Sequence, residues 1–225
     1  MSQRSSFFST SLVRGLIAMI LGVPVGMALV TGIRFLVGLP AWKAEPAWVG
    51  GALIGVVTFM VGTGVLGDWL KWARGEETPE HPETPERKGW AKYLNVSFDH
   101  KVIGIQYGVT SLILFSLAGL FALTFRTELA QTGLLFKDEY NILGMSGLGF
   151  YNTIMSLHGI VMIGAMLIGV GAMSNYLVPL MIGANDMAFP RLNAFAYWIN
   201  VPGAVLLGST LFLGGFDTGW TGYPP

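Results

Sequence analysis

His158, Asp186 and Arg126 are the side chains in this sequence best placed to do chemistry. His158 opens the stretch HGIVMIGAMLIGVGAMSNYLVPLMIGANDMAFPR, which ends at Arg191. No charged residue occurs from Tyr140 to Asn185, so most of that stretch must lie in lipid. A charged side chain at the centre of a membrane helix costs about 2.5–3.5 kcal/mol on insertion scales. Neutral histidine costs less, but its ring still needs a partner. Its neighbours are small: Gly159, Gly164, Ala165, Gly169 and Gly171. Two readings follow. Either the helix packs tightly and His158 bonds a nearby carbonyl, or a flat macrocycle lies against the helix and the imidazole binds its metal, as haem iron commonly takes a histidine nitrogen.

Asp186 sits in the turn that follows this helix. Asn175 lies eleven residues before it, about 16 Å up a straight helix. Asn193 lies seven residues after it, on the returning helix. An amide on each wall above one carboxylate describes a polar cleft that can hold water. A chain of such waters would carry protons inward from Asp186. Alternatively Asp186 caps the fifth helix, a reading that Pro190 supports, since proline favours a first helical turn. Arg126 closes another uncharged run. It either snorkels at the membrane edge or donates to a polar group on a buried cofactor. His100 reads as a structural residue at the water interface and His81 as an exposed loop histidine. Asp99 is placed to cap the helix that starts beside it.

The elements that position these residues are membrane helices. The chain has 225 residues, 52% hydrophobic and 12% charged, with 31 glycines and no cysteine. That is an all-α, polytopic membrane protein without disulfides or thiolate metal sites. Its net charge of zero gives no hint of nucleic acid. Uncharged runs predict five spans: between Arg14 and Arg34, Pro46 to Gly67, Val102 to Phe125, Phe150 to Ile182, and Leu192 to Phe216. Pro24, Pro179 and Pro202 interrupt three of them. Arg4, Arg14 and Gly26-Met27-Ala28 would also suit a signal peptide, but the run continues past Ala28 without a polar region. With the N-terminus inside, nine of the thirteen Lys and Arg residues fall on the inner side and four on the outer. The positive-inside rule favours that orientation. It places His158 in the outer half of its helix, roughly 12 Å deep, and Asp186 at the inner surface.

The chain divides near residue 94. The loop from Asp68 to Lys92, with GEETPEHPETPERKG at its centre, is acidic and proline-rich, hence extended. Residues 1–94 read as an appended two-helix membrane hairpin with a charged cytoplasmic loop and no assigned chemistry. Residues 95–225 carry the informative motifs.

Those motifs resemble subunit I of the haem–copper oxidases, most nearly the cytochrome c oxidase type. They are Asp99-His100-Lys101, Arg126-x-Glu128-Leu129, the His158-Gly159 helix, the block from Val178 to Asn193, and Gly219-Trp220-Thr221-x-Tyr223-Pro224-Pro225. The resemblance covers about residues 97–225. It implies that His158 is an axial ligand of the low-spin haem, here haem a. It implies that Arg126 donates to that haem's formyl group. Asp186 would be the mouth of the D proton channel, lined by Asn175 and Asn193, and Trp220 would lie near the haem edge on the electron-entry side. Two positions depart from the pattern: Tyr176 stands where the family has tryptophan, and Ala194 where it has a second asparagine.

The implied protein is a terminal oxidase of the bacterial inner (plasma) membrane that reduces oxygen to water and pumps protons. Its partners would be subunits II and III, membrane lipid, and cytochrome c or quinol as electron donor. The family's subunit I has about twelve spans. Residues 95–225 would be the first three, so the second low-spin haem histidine, the high-spin haem ligand and the copper ligands would come from the remainder of subunit I. By itself this stretch is expected to be inactive, as a piece of a longer subunit or of a split one. Two other readings remain open: a quinol oxidase of the same superfamily, and a haem-free membrane scaffold. Nitric oxide reductases fit less well, since they lack the proton-channel turn.

Overall fold

Five helical runs, each long and apolar enough to cross a membrane, account for most of the chain: Ser11–Leu36, Ala44–Thr63, His100–Ala130, Gly147–Ile182 and Pro190–Phe212. The computed structural model describes residues 7–80, 82, 89–131, 133–216 and 218–222. Arg4, His81 and the Tyr223-Pro224-Pro225 end of the last motif lie outside the described residues. The protein is therefore an all-α membrane protein, with one two-residue antiparallel pair among the described residues, β1 (Asn141–Ile142) and β2 (Met145–Ser146).

The helices are α1 (Ser11–Leu36), α2 (Ala44–Thr63), α3 (Gly67–Trp72), α4 (His100–Ala130), α5 (Gly147–Ile182), α6 (Pro190–Trp198) and α7 (Asn200–Ser209). They form two compact units, residues 1–103 with 179–204, and residues 104–178 with 205–225. The division at residue 94 concerns the extent of the family motifs rather than packing, and it stands as a proposal.

In the first unit α1 and α2 are an antiparallel pair held at glycine contacts. A Cβ at Gly15 would come within 2.6 Å of Thr63, one at Gly22 would strike Thr58, and one at Gly26 would strike the Gly50 carbonyl. Lipid supplies no hydrophobic drive between helices, so this close approach is what holds the pair. α1 runs unbroken through Gly26-Met27-Ala28. α2 ends at Gly64, whose φ of 84° is the left-handed cap that stops a helix, three residues short of the predicted end.

Beyond α2, α3 docks on α6. Trp69 meets Phe195 edge-on at 5.3 Å, and Phe59 of α2 lies 6.3 Å from Trp198. Arg191 Nε donates to Asp68 Oδ2 at 2.7 Å, with both side chains largely buried. Burial works to raise the Asp68 carboxyl, but hydrogen bonds and charge from Arg191 and Lys71 together outweigh it and hold the group below its ordinary value of 3.8. Its folded pKa is depressed, so its contribution is complete above that ordinary value and is lost as pH falls through the folded one. Amide exchange at the start of α6 is thus expected to be unchanged between neutral pH and the ordinary carboxylate range, once corrected for intrinsic rates. Protection should fall only in more acid solution.

The third predicted span begins as expected. The Lys101 N–H donates to Asp99 Oδ1 at 2.8 Å, the bond of an N-cap aspartate. His100 is corrected: it is 1% exposed, packed inside the unit rather than at a wetted interface. α4 also runs to Ala130, so Arg126 and Glu128 are helical residues. The fifth span is interrupted at Ile199, which keeps helical backbone angles. α6 ends at Trp198 and α7 restarts at Asn200. Pro202, in the first turn of α7, has no N–H to give the preceding helix.

In the second unit α4 and α5 touch along small residues. Ser111 Oγ donates to the Ala165 carbonyl at 2.8 Å. The Tyr107 ring lies 3.2 Å from where a Cβ at Gly171 would be.

Candidate functional site

His158 lies on α5 and faces α4. Its Nδ1 is 2.8 Å from the Ala118 carbonyl oxygen. A carbonyl can only accept, so Nδ1 carries the proton and Nε2 keeps a free lone pair. A backbone carbonyl on the far nitrogen is the usual outer support of a metal-binding histidine, fixing tautomer and ring orientation. The two sequence readings of His158 are thus not exclusive: the carbonyl bond exists, and it leaves the other nitrogen available as a ligand.

A chain of aromatic rings backs the imidazole. Phe125 meets it edge-on at 5.4 Å, and Phe125 in turn meets Tyr151 at 6.4 Å. Tyr151 contacts Phe136 at 6.2 Å. Phe136 is fixed by Glu128, whose carboxylate accepts backbone N–H bonds from Gly133, Leu135 and Phe136 at 2.5, 2.7 and 3.2 Å. In the sequence Glu128 stands out only as part of the Arg126-x-Glu128-Leu129 motif. Its role is to fold the loop after α4 so that the rings behind His158 are set. An acid beside a run of loop amides, with no basic residue on the next helical turn, was the available signal.

The segment after α7 returns along α5. The Gly219 N–H donates to Ser156 Oγ at 3.1 Å. A Cβ on Gly159 would lie 2.6 Å from Trp220 Cβ, so the glycine next to His158 makes room for Trp220. Gly215 meets Thr153 in the same way. These contacts at residues 153, 156 and 159 fall on one helical face. Gly159→Val is expected to displace residues 219–222, at roughly 1–3 kcal/mol of overpacking. Limited proteolysis should then cut between Gly214 and Gly222 faster than in the parent.

Arg126, one residue past Phe125, is exposed and makes no hydrogen bond or ion pair with any described residue. Gly164, six residues beyond His158, meets no described atom within 4 Å of a notional Cβ. The fit to a flat metallated ring thus rests on a lone-pair nitrogen held in place and a guanidinium without a partner among the described residues.

The proton-path residues divide between the units. Asn175, in the second, is buried and donates to the Gly171 carbonyl at 2.8 Å. Asp186 and Asn193 belong to the first unit. Asp186 is half-buried and accepts the Met187 N–H at 2.8 Å. The capping reading is corrected: the N-cap of α6 is Phe189, with no side-chain cap bond. Asn193 Nδ2 is buried and has no hydrogen-bond partner among the described residues. Buried donors are seldom left so, and a water or polar group fits there.

Comparisons with known proteins show the family. Residues 102–225 match the family model described as "Cytochrome C and Quinol oxidase polypeptide I". The cytochrome c oxidase subunit 1 of Thermostichus vulcanus is 49% identical over 147 residues, covering 64% of this chain and 25% of that protein. That of Synechocystis sp. is 46% identical over 149 residues, covering 66% and 25%. Cytochrome c oxidase polypeptide 1 of Halobacterium salinarum is 36% identical over 191 residues, covering 79% of this chain and 30% of the relative. These shares exceed what residues 97–225 contain, so the likeness runs upstream of the quoted motifs. The chain spans about a quarter of the length of these relatives. No solved structure matches.

Proposed function

The chain belongs to the cytochrome c and quinol oxidase polypeptide I family, and from that premise we propose that it is the N-terminal part of the catalytic subunit of a terminal respiratory oxidase. In this reading the subunit reduces oxygen to water and pumps protons across a bacterial inner membrane. The observation that carries the reading is the His158 Nδ1–Ala118 carbonyl bond, which leaves Nε2 as the ligand. A low-spin haem held there would relay electrons toward the oxygen site. His158 would ligate its iron, Arg126 would donate to a polar substituent, and Trp220, packed against Gly159, would lie near its edge. The second histidine, the high-spin haem and the copper come from the rest of the subunit, with subunits II and III as partners.

Asp186 takes up protons at the inner surface, and waters ordered by Asn193 and Asn175 pass them on. Ala194 in place of a second asparagine removes one amide from that path, and Tyr176 keeps an aromatic ring where tryptophan is usual. The donor is cytochrome c, as in the named relatives, or a quinol. A haem-free scaffold would need neither an oriented His158 nor an Arg126 without a hydrogen-bond partner among the described residues. The test is a reduced-minus-oxidised visible spectrum of the purified assembly. Low-spin haem bands support the reading, and their absence would falsify it.

Arg126 gives a second check. Arg126→Met is expected to shift the low-spin haem band and lower its reduction potential, because a nearby positive charge favours the reduced state. An arginine that only snorkels would leave band and potential in place.

A further inference from the structure

One face of α6, formed by Arg191, Phe195 and Trp198 at helical spacing, is covered by the segment that precedes α4. Arg191 makes polar contacts on several sides. Besides Asp68, its guanidinium donates to Thr78 Oγ1 at 3.2 Å, to the Glu80 carbonyl at 3.1 Å and to the Pro79 carbonyl. It also lies 5.2 Å over the Trp72 ring, and Trp72 Nε1 donates to Thr78 Oγ1 at 2.7 Å. The side chain is only 13% exposed. A snorkelling arginine would keep its head in water. This one is gripped on several sides, with planar geometry that lysine cannot copy.

Asp186 lies five residues before Arg191, in a turn whose two ends are fixed. At the α5 end, Gly183 adopts a φ of 69° and the Ala184 N–H donates to the Pro179 carbonyl at 2.9 Å. At the α6 end, Pro190 is buried and Arg191 is held by α3 and residues 78–80. We infer that Asp68 is a positioning residue for proton uptake: through Arg191 it fixes the α6 end of the turn that carries Asp186. The segment from Gly67 to Glu80, outside the residues matched to the family model, thereby sets how Asp186 is presented to water. The inference rests on the reading of Asp186 as the proton intake.

The charge balance gives it a signature. Among the described residues, the elements that hold Arg191 carry Asp68 and Lys71 on α3 and Arg74, Glu76, Glu77 and Glu80 in the loop that follows. Removing the Asp68 charge leaves Arg191 uncompensated near the mouth. That places uncompensated positive charge beside the entry path of a proton, so uptake becomes limiting at lower pH. One unit charge near a wet surface moves a neighbour's titration by a few tenths of a pH unit.

The experiment uses the assembled oxidase containing this chain, with Asp68→Asn, Asp68→Glu and Asp186→Asn made in parallel. Asp68→Asn is expected to keep the low-spin haem band, to turn over several-fold more slowly per haem, and to move the alkaline limb of its pH profile down by a few tenths of a unit. Asp68→Glu should restore most of both. A purely structural Asp68 would change the amount of enzyme but not its pH profile per haem. Wild-type rate and profile in Asp68→Asn, with Asp186→Asn slowed, overturn the positioning role alone. If Asp186→Asn is also unaffected, the intake reading falls and this inference with it. Should Asp68→Asn fail to assemble, Arg191→Lys decides, since it keeps the charge and loses the fan of bonds: slower turnover per haem supports the role, and a wild-type rate overturns it.

Discussion

His158→Ala should leave the protein in the membrane and remove the low-spin haem band almost completely. The substitution deletes the one imidazole of α5. It leaves Ala118 with a carbonyl that α4 already satisfies within its own helix. Folding of the second unit is therefore expected to survive, since Ser111–Ala165 and the ring contacts of Phe136 with Phe150 and Tyr151 do not involve the histidine. Outer-shell changes alone cost 10–100-fold in metal affinity or activity. Loss of the ligand itself should lower turnover by more than about 100-fold. Spectra of purified membranes check both parts. A full low-spin band in the variant would remove His158 from the haem.

The second large effect belongs to Asp186→Asn. The variant keeps the shape of the side chain and an oxygen that can accept the Met187 N–H. It cannot disturb an α6 cap, because Phe189 holds that position. Only the exchangeable acid is lost. Haem content should be normal. Turnover should fall on the order of 100-fold, the low end of what a positioned proton-transfer group contributes, and pumping should stop. Proton release by reconstituted vesicles measures this. Pumping at the parent's stoichiometry and rate would mean the carboxylate has no part in uptake.

The spans were legible because lipid imposes a length and excludes charge, and both rules act on the sequence directly. Their ends were less so. Gly64 stops α2 early through its backbone angle, while α4 carries Arg126 and Glu128 in its last turns. Charge-free windows do not register either event. The sequence posed His158 as carbonyl-bonded or metal-bound; which nitrogen meets which group depends on how α4 lies against α5. In the sequence Arg191 is one more positive charge on the inner side. Its partners lie 111 to 123 residues away, beyond any local pattern. The fold also moved His100 from the interface to the interior and took the capping role from Asp186. In both cases neighbours distant in sequence decided the outcome.

The central claim is that His158 Nε2 is an iron ligand held in place by the Ala118 carbonyl. The most direct measurement is imidazole rescue of a His158→Gly assembly, followed by its low-spin haem spectrum. The variant should lack the low-spin band, and added imidazole should restore it by entering the space left beside Phe125. A band already present without imidazole, or one that no concentration of imidazole brings back in a correctly assembled complex, would contradict the account.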